Sequence, residues 1–380
     1  MKKQLLATTA LVAAGLMVTS AAHAKPKLEL GGWFEGIVGV VDDDIGKTGG
    51  NGAKHGSFDV QQDSEIHFNG SATLDNGIKI RTRVEFEAQA QDTGTGTAAD
   101  SNPVDEAYID VSGNFGAIRI GAEDSVAHLM TSTHQGSWAV QVGQNLQLDT
   151  GDWIEAPAGH RASTSVRLSL GDADSEKVTY FTPRVAGFQA GVSFLPSFSQ
   201  GDNGEPEGRA ENPHDGWSLG ANYAGKFGGV SVGAAAGYTV MKPASTGADQ
   251  SDPKGWGVSA SVGFAGFKVA AGYTAQKSLL AETTGTPSGG DDAYDIGASY
   301  TWGKNAVSVA YVYSTDDSGA VAGGANEDTA AALMASYQRN LAPGVQYRLN
   351  FIYAEYEGAT AGSADDNEGV ALTTSVRLAF

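Results

Sequence analysis

Charged and apolar side chains alternate along the stretch from Ile78 to Ala90. Its odd positions are polar or charged and comprise Lys79, Arg81, Arg83, Glu85, Glu87 and Gln89. Its even positions are mostly apolar. Because successive side chains of a strand point to opposite faces, the stretch predicts a β-strand with one charged face and one apolar face. Rows of fixed charge set the ion preference of a water-filled passage, so the chemistry indicated is electrostatic selection.

The same alternation assigns further charged residues to the polar face. Glu29 and Glu35 belong to the first predicted strand, and Arg348 lies in the last strand but one. If the sheet closes on itself, the final strand lies beside the first and brings Arg377 towards the other arginines. We therefore predict a basic wall in the lumen, made of Lys79, Arg81, Arg83, Arg119 and Arg377.

Carboxylates dominate the longest connection, which runs from Asp124 to Ser175. The acidic candidates at its start and within it are Glu123, Asp124, Asp149, Asp152 and Glu155. Folded inward, the connection would set these acids against the basic wall across a narrowed lumen. Left outside, its acids would simply be solvated. A connection of this length is unusual when unstructured, which favours the inward hypothesis.

Catalysis is an alternative use of the polar residues in this connection. His128, His134 and His160 lie near several Ser and Asp residues, but none sits in a recognisable nucleophile motif. Catalysis would need a nucleophile, a base and an orienting group held together. We therefore expect no enzyme, although an outer-membrane hydrolase is the alternative from another functional class.

Metal, cofactor and nucleic-acid partners find little support in the sequence. Asp42, Asp43 and Asp44 offer the oxygens that Ca²⁺ prefers, as do Asp365 and Asp366, but both groups lack the ligand order of a calcium loop. At most weak Ca²⁺ binding follows, and no cofactor is expected. The formal net charge of −20 argues against nucleic acid as a partner. Cysteine is absent, which excludes disulfides and thiolate ligands.

The alternation recurs along the chain and predicts the sheet that positions these charges. Short connections with turn residues, such as Asp75-Asn76-Gly77 and Gly228-Gly229, alternate with long acidic ones. A soluble β-sandwich would show the same alternation within its strands. Short turns at one end and long loops at the other favour a transmembrane antiparallel β-barrel, an all-β fold, of about sixteen strands. Ser163 to Leu170 is either one of these strands or part of a folded-in connection.

The N-terminal residues resemble an export signal. Lys2 and Lys3 precede an apolar run from Leu5 to Val18, which is too short to span a membrane as a helix. The small-residue triplet Ala22-His23-Ala24 follows. We predict a cleavable signal peptide over residues 1–24 and a single outer-membrane barrel domain over residues 25–380.

Several segments together resemble the trimeric general porins of Gram-negative bacteria. They are Leu28-Glu29-Leu30-Gly31-Gly32-Trp33, Tyr180-Phe181-Thr182-Pro183, Gly187-Phe188-Gln189-Ala190-Gly191 and Ser375-Val376-Arg377-Leu378-Ala379-Phe380. The resemblance covers essentially the whole chain after the signal. The chain departs from the enterobacterial members in lacking their Pro-Glu-Phe-Gly-Gly loop motif.

This resemblance implies a sixteen-stranded barrel, a third long loop folded into the lumen as a constriction, and a homotrimer in the outer membrane. It also implies passive diffusion of ions and small hydrophilic solutes, contact with lipid and lipopolysaccharide, and a membrane-insertion signal at Phe380. From the total charge we expect mild cation selectivity. A substrate-selective channel for phosphate or other anions is the nearest alternative, because arginines would line the lumen.

Overall fold

The barrel is seen in a computed structural model that describes residues 25–45, 56–88, 104–157, 160–168, 170, 174–198, 212–244, 252–277, 292–316, 327–358 and 366–380. The predicted signal over 1–24 and Asp365 lie outside the described residues. Within them the chain forms sixteen β-strands. The strands are β1 Lys27–Asp43, β2 Phe58–Thr73, β3 Lys79–Glu87, β4 Val104–Gly113, β5 Gly116–Ala122, β6 Glu176–Phe181, β7 Phe188–Ser197, β8 His214–Phe227, β9 Val230–Lys242, β10 Lys254–Phe264, β11 Phe267–Lys277, β12 Asp292–Trp302, β13 Asn305–Asp316, β14 Asp328–Ala342, β15 Val345–Glu357 and β16 Asn367–Ala379.

Each strand pairs antiparallel with its neighbours in the chain, and β1 pairs with β16 to close the sheet. The closing register sets Glu35 directly opposite Arg377. The predicted closed all-β barrel of sixteen strands is therefore confirmed. Among the residues described, no helix has the length and apolar content that would let it cross a membrane.

The two faces of the sheet differ as the alternation predicts. In β12 the outward Tyr294 and Ile296 are 46% and 54% exposed, whereas the intervening Asp295 is only 2% exposed. Large apolar side chains are exposed in the same way along the other strands. Such an outer face suits lipid, while the inner face is polar or packed against chain that lies inside the barrel.

Glycine closes the short turns at one end of the barrel. Gly228 and Gly229, which join β8 to β9, have φ values of 53° and 91°. Two successive residues with positive φ match the turn that fits the twist of a hairpin, and glycine adopts this conformation without steric cost. This predicted turn is thus confirmed.

The long connection joins β5 to β6 over residues 123–175 and contains three short helices. They are α1 Val126–Ser132, α2 Gly136–Ala139 and α3 Leu146–Asp149. The described residues from Ser163 to Leu170 belong to none of the barrel strands, and both Val166 and Leu168 are fully buried. Of the two alternatives for this segment, membership of the connection is correct.

The outward position of Ile296 can be tested by placing a charge there. Ile296→Arg should lower the free energy of unfolding in lipid vesicles by about 2–4 kcal/mol, because the charge would face hydrocarbon near the middle of β12. Ser299→Arg on the inner face of the same strand is the matched control and should cost much less. Equilibrium urea unfolding measures both, and equal costs would contradict the assignment of faces.

Candidate functional site

Small residues line the inner face from β7 to β12, and we call this surface the small-residue wall. It comprises Gly191, Ser193, Ser218, Gly220, Gly237, Thr239, Ser259, Ser261, Gly272 and Gly297. Short side chains leave room for a second layer of chain inside the barrel. The long connection supplies that layer.

Helix α1 is bonded to this wall by the backbone N–H groups of its first turn. The N–H groups of Val126 and Ala127 donate to the hydroxyls of Ser193 and Ser218, each at 3.0 Å. The first N–H groups of a helix have no partner within it, and here no side-chain cap serves them. A Cβ added at Gly237 would lie 2.8 Å from the Ala127 Cβ. The close approach therefore requires glycine at that position.

Helix α2 is held by one buried carboxylate on β12. Asp295 accepts hydrogen bonds from the N–H groups of Gly136 and Ser137, at 2.9 and 2.7 Å, and from the Ser137 hydroxyl. Hydrogen bonds to a charged group contribute about 1.5–3 kcal/mol each, more than neutral ones. Asp295 thus anchors α2 to the sheet through three hydrogen bonds.

Further contacts join the connection to strands beside the barrel closure. Gln144 accepts from the Asn350 amide at 3.2 Å and from the Thr373 hydroxyl at 2.7 Å, and the Gln61 amide donates to the Asp152 carbonyl at 2.8 Å. These partners lie on the inward positions of β15, β16 and β2. The connection therefore contacts both the small-residue wall and strands beside the barrel closure.

Ionised side chains cover the inner face near the closure, and we call this surface the charged wall. It comprises Glu35, Asp63, Glu65, His67, Lys79, Arg81, Arg83, Glu85, Glu87, Asp105, Glu106, Asp110, Arg119, Glu123, Arg348 and Arg377. Arg119 joins two strands and the connection, since it bonds Asp110 at 2.8 Å and also Glu123. Its guanidinium lies 3.9 Å from the centre of the Tyr108 ring.

A second group of ion pairs spans the closing strands. Glu35 is 2% exposed and accepts from Arg348 at 2.8 Å, while Arg377 lies 3.6 Å away. Arg377 also stacks over the Trp33 ring at 4.2 Å. Two arginines around one buried carboxylate offset the cost of burying its charge.

The five residues predicted as a basic wall do lie on the inner face, but the wall is not simply basic. Arg83 pairs with Glu85, Arg119 with Asp110 and Glu123, and Arg377 with Glu35. Lys79 and Arg81 are exposed near the short-turn end of β3. Acids of β2 and β4, which the prediction left out, lie on the same face as these basic residues.

The acids of β2 and β4 follow the same alternation of polar and apolar residues that indicated the charged face of β3. Along β2, Asp63, Glu65 and His67 alternate with Ser64, Ile66 and Phe68. Along β4, Tyr108 and Asp110 alternate with Ala107 and Ile109. A bulge between Val84 and Phe86 shifts the pairing of β3 with β4, so that Asp105 and Glu106 both approach the lumen acids.

The acidic candidates of the connection have separate surroundings. Glu123 lies beside Arg119 within the charged wall rather than opposite it. Asp124 contacts Arg167 and His128 at 3.3 Å each. Glu155 is exposed, and its carbonyl accepts from the Asn367 amide at 2.8 Å.

Asp149 and Asp152 form a titratable pair towards the closing strands. Burial, with repulsion from Asp152, Asp63 and Glu35, raises the pKa of Asp149 to about 7, although the Asn145 N–H bond opposes the rise. Burial and repulsion from Asp63 also raise the pKa of Asp152. The negative charge of the connection therefore depends on pH near neutrality.

The histidines considered for catalysis lie at three separate points. His128 is buried beside Asp124, and burial lowers its pKa to about 4, so it is neutral at physiological pH. His134 contacts the Ser261 hydroxyl at 3.0 Å, and the His160 ring packs edge-on against Tyr356 at 5.3 Å. Their observed neighbours are a carboxylate of the connection, a hydroxyl of the small-residue wall and an aromatic ring.

The Asp42–Asp44 group does not converge on one point. Asp43 is 1% exposed and accepts from the Asn367 amide at 3.3 Å, whereas Asp42 is exposed on the alternate face. In the described part of the chain, donor atoms close enough to share an ion occur instead in the charged wall, around Glu65.

Comparison with known proteins connects this geometry to a family. A family model for Gram-negative porins matches residues 7–369. The chain belongs to the Gram-negative porin family. Among curated proteins no sequence matches it. Its fold and family are those of an outer-membrane channel rather than an enzyme.

Solved porin structures share the fold at low sequence identity. An anion-selective porin from Comamonas acidovorans has a TM-score of 0.63 and 20% identity, over 94% of this chain and all of that one. OmpT of Vibrio cholerae, in its trimer form, has a TM-score of 0.58 and 13% identity, over 93% and 99%. A mutant of the Rh. blastica porin has a TM-score of 0.55 and 15% identity, over 93% and 100%.

The Asp295 anchor yields a direct test of what holds α2. Asp295→Ala should free the first turn of α2 and make single-channel currents noisier, because three hydrogen bonds to one carboxylate are lost together. Asp292→Ala removes a carboxylate from the outer face of the same strand and serves as the control. Single-channel recording in planar bilayers compares the two; equally quiet currents would show that other contacts suffice.

Proposed function

We propose that this porin forms a water-filled channel for passive diffusion of ions and small hydrophilic solutes, with mild cation selectivity. The composition of the charged wall carries the proposal. Its arginines Arg83, Arg119 and Arg348 are each paired with a carboxylate, which leaves them little net positive charge to attract anions. Acidic side chains outnumber basic ones on this surface. Cations should therefore concentrate in the passage.

The long connection is proposed to narrow the channel. Its hydrogen bonds to Ser193, Ser218 and Asp295 support this, since they hold it inside the sheet. Within the connection, Arg167 contacts Asp124, the residue that follows Glu123 of the charged wall. Permeating ions would then pass between the connection and the charged wall.

Anion or phosphate selectivity is the second candidate. Lys79 and Arg81 favour it, because both are exposed on the inner face of β3. One of the structures that share the fold is titled an anion-selective porin. The sign of the reversal potential in a salt gradient distinguishes the two candidates.

A homotrimer in contact with lipid and lipopolysaccharide is the proposed assembly. The broad apolar outer face supports contact with lipid and with neighbouring subunits. The trimer form of the structurally similar Vibrio cholerae protein is consistent with this assembly.

Ion selectivity should follow the balance of wall charges. We expect a cation-selective reversal potential in a KCl gradient, and a stronger preference in the double variant Arg81→Gln, Arg83→Gln. A unit charge about 10 Å from an ion in water contributes about 0.4 kcal/mol, so each loss should raise cation occupancy and lower anion occupancy roughly twofold each. An anion-selective sign in the unmodified protein would contradict the proposal.

The pKa of Asp149 predicts that selectivity depends on pH. Its carboxyl is largely neutral below about pH 7 and charged above it, so cation preference should rise between pH 6 and pH 8. Folding stability should fall as the pH rises from about 4 to about 7 and level off above that, because over this range the native state holds a proton that the unfolded chain has released. Reversal potentials at several pH values measure the first effect, and Asp149→Asn should reduce it.

A matched control separates this effect from a general change in charge. Asp75→Asn removes one charge at the short turn between β2 and β3 and should leave the slope of selectivity against pH unchanged. An undiminished slope in Asp149→Asn would assign the titration to another group, such as Asp174, whose pKa burial also raises to about 7.

A further inference from the structure

Three potential metal-binding atoms converge on the inner face of β2 and β3. His67 Nε2 lies 2.6 Å from Glu65 Oε2 and 3.6 Å from Glu85 Oε2. All three donor atoms lie within 4.8 Å of one another. His67 and Glu85 are buried and Glu65 is half-buried, so the group is set into the wall rather than scattered over its surface.

The strand register produces this convergence. His67 stands directly opposite Glu85, and Glu65 stands directly opposite Glu87. Inward side chains of directly opposed residues have Cβ atoms about 4.5–5.5 Å apart, close enough to share one ion. Like charges in such positions repel, and Glu65 also lies within 4.8 Å of both Glu87 and Asp105. A bound cation would relieve this repulsion.

Neighbouring side chains orient the three donors. The Trp33 ring packs edge-on against the His67 imidazole with ring centres 5.3 Å apart. Glu85 uses Oε1 for its ion pair with Arg83, which leaves Oε2 directed towards His67. Arg83 Nη2 lies 3.4 Å from His67 Nδ1. This long contact would be given up when Nε2 binds a metal, because Nδ1 must then carry the ring proton.

We propose that Glu65, His67 and Glu85 bind one divalent transition-metal ion of the Zn²⁺ class in the channel wall. The donor set selects this class, since imidazole with carboxylates suits Zn²⁺, whereas Ca²⁺ and Mg²⁺ prefer oxygen alone. Tetrahedral metal–ligand distances of about 2.0–2.2 Å place two donors roughly 3.3 Å apart. The separation of His67 Nε2 from Glu65 Oε2 would therefore lengthen from 2.6 Å, while that from Glu85 Oε2 would shorten from 3.6 Å. The ion would neutralise acids of the charged wall and so lower cation current. The proposal goes beyond passive diffusion.

Direct binding tests the site without relying on conductance. Equilibrium dialysis of the detergent-solubilised protein against Zn²⁺ should show one saturable site. His67→Ala and Glu85→Gln should each weaken it at least about tenfold, since changes even to groups that only support a metal ligand commonly cost that much. Arg83→Gln should tighten it, because a competing positive charge is removed. His134→Ala changes a histidine elsewhere in the lumen and should have no effect.

Current recordings then test the consequence. Zn²⁺ should reduce cation current in the unmodified channel and fail to do so in His67→Ala; His67→Gln provides a second variant if the first does not fold. Absence of saturable Zn²⁺ binding, or undiminished binding in folded His67 variants, would overturn the proposal. Equal competition by Ca²⁺ would do the same by indicating an oxygen-only site. Absence of any current would instead count against the channel function and leave the dialysis result standing.

Discussion

Hydrocarbon supplies no partner for backbone N–H and C=O groups, so a sheet that crosses a membrane must satisfy every strand edge internally. The pairing of β1 with β16 meets this constraint. Closure also fixes which residues face each other across the seam, including Glu35 and Arg377. In the closed sheet, the alternation of side chains determines which residues face lipid and which face inward. The apolar residues face lipid, and the inner face carries charged or small residues.

The inner face is divided into two parts with different roles. Opposite the charged wall, small residues such as Gly237 and Ser218 let the long connection approach the sheet closely. The Ser218 hydroxyl and the Asp295 carboxylate accept hydrogen bonds from backbone N–H groups that the short helices leave without a partner of their own. The connection thus packs against one part of the inner face, and the charged wall occupies the other part.

Alternation in the sequence was enough to predict the closed barrel, its strand number and the inward positions of Arg83, Arg119 and Arg377. It did not predict the electrostatic character of the wall, because which acids lie beside which arginines depends on how neighbouring strands pair. Asp110 stands opposite Arg119 in the register of β4 with β5, and a bulge near Glu85 alters the register of β3 with β4. The anchor at Asp295 was also invisible, since a lone inward carboxylate in a strand does not reveal its partners 158 residues away.

Thiol accessibility tests most directly whether the connection covers one wall and the passage follows the other. The chain contains no cysteine, so single replacements report on their own positions. In folded protein, Arg81→Cys should react readily with a charged methanethiosulfonate reagent and change the current. Ser218→Cys, at a position that is 0% exposed beneath α1, should react far more slowly. Equal reaction rates at the two positions would contradict the arrangement of connection and passage described above.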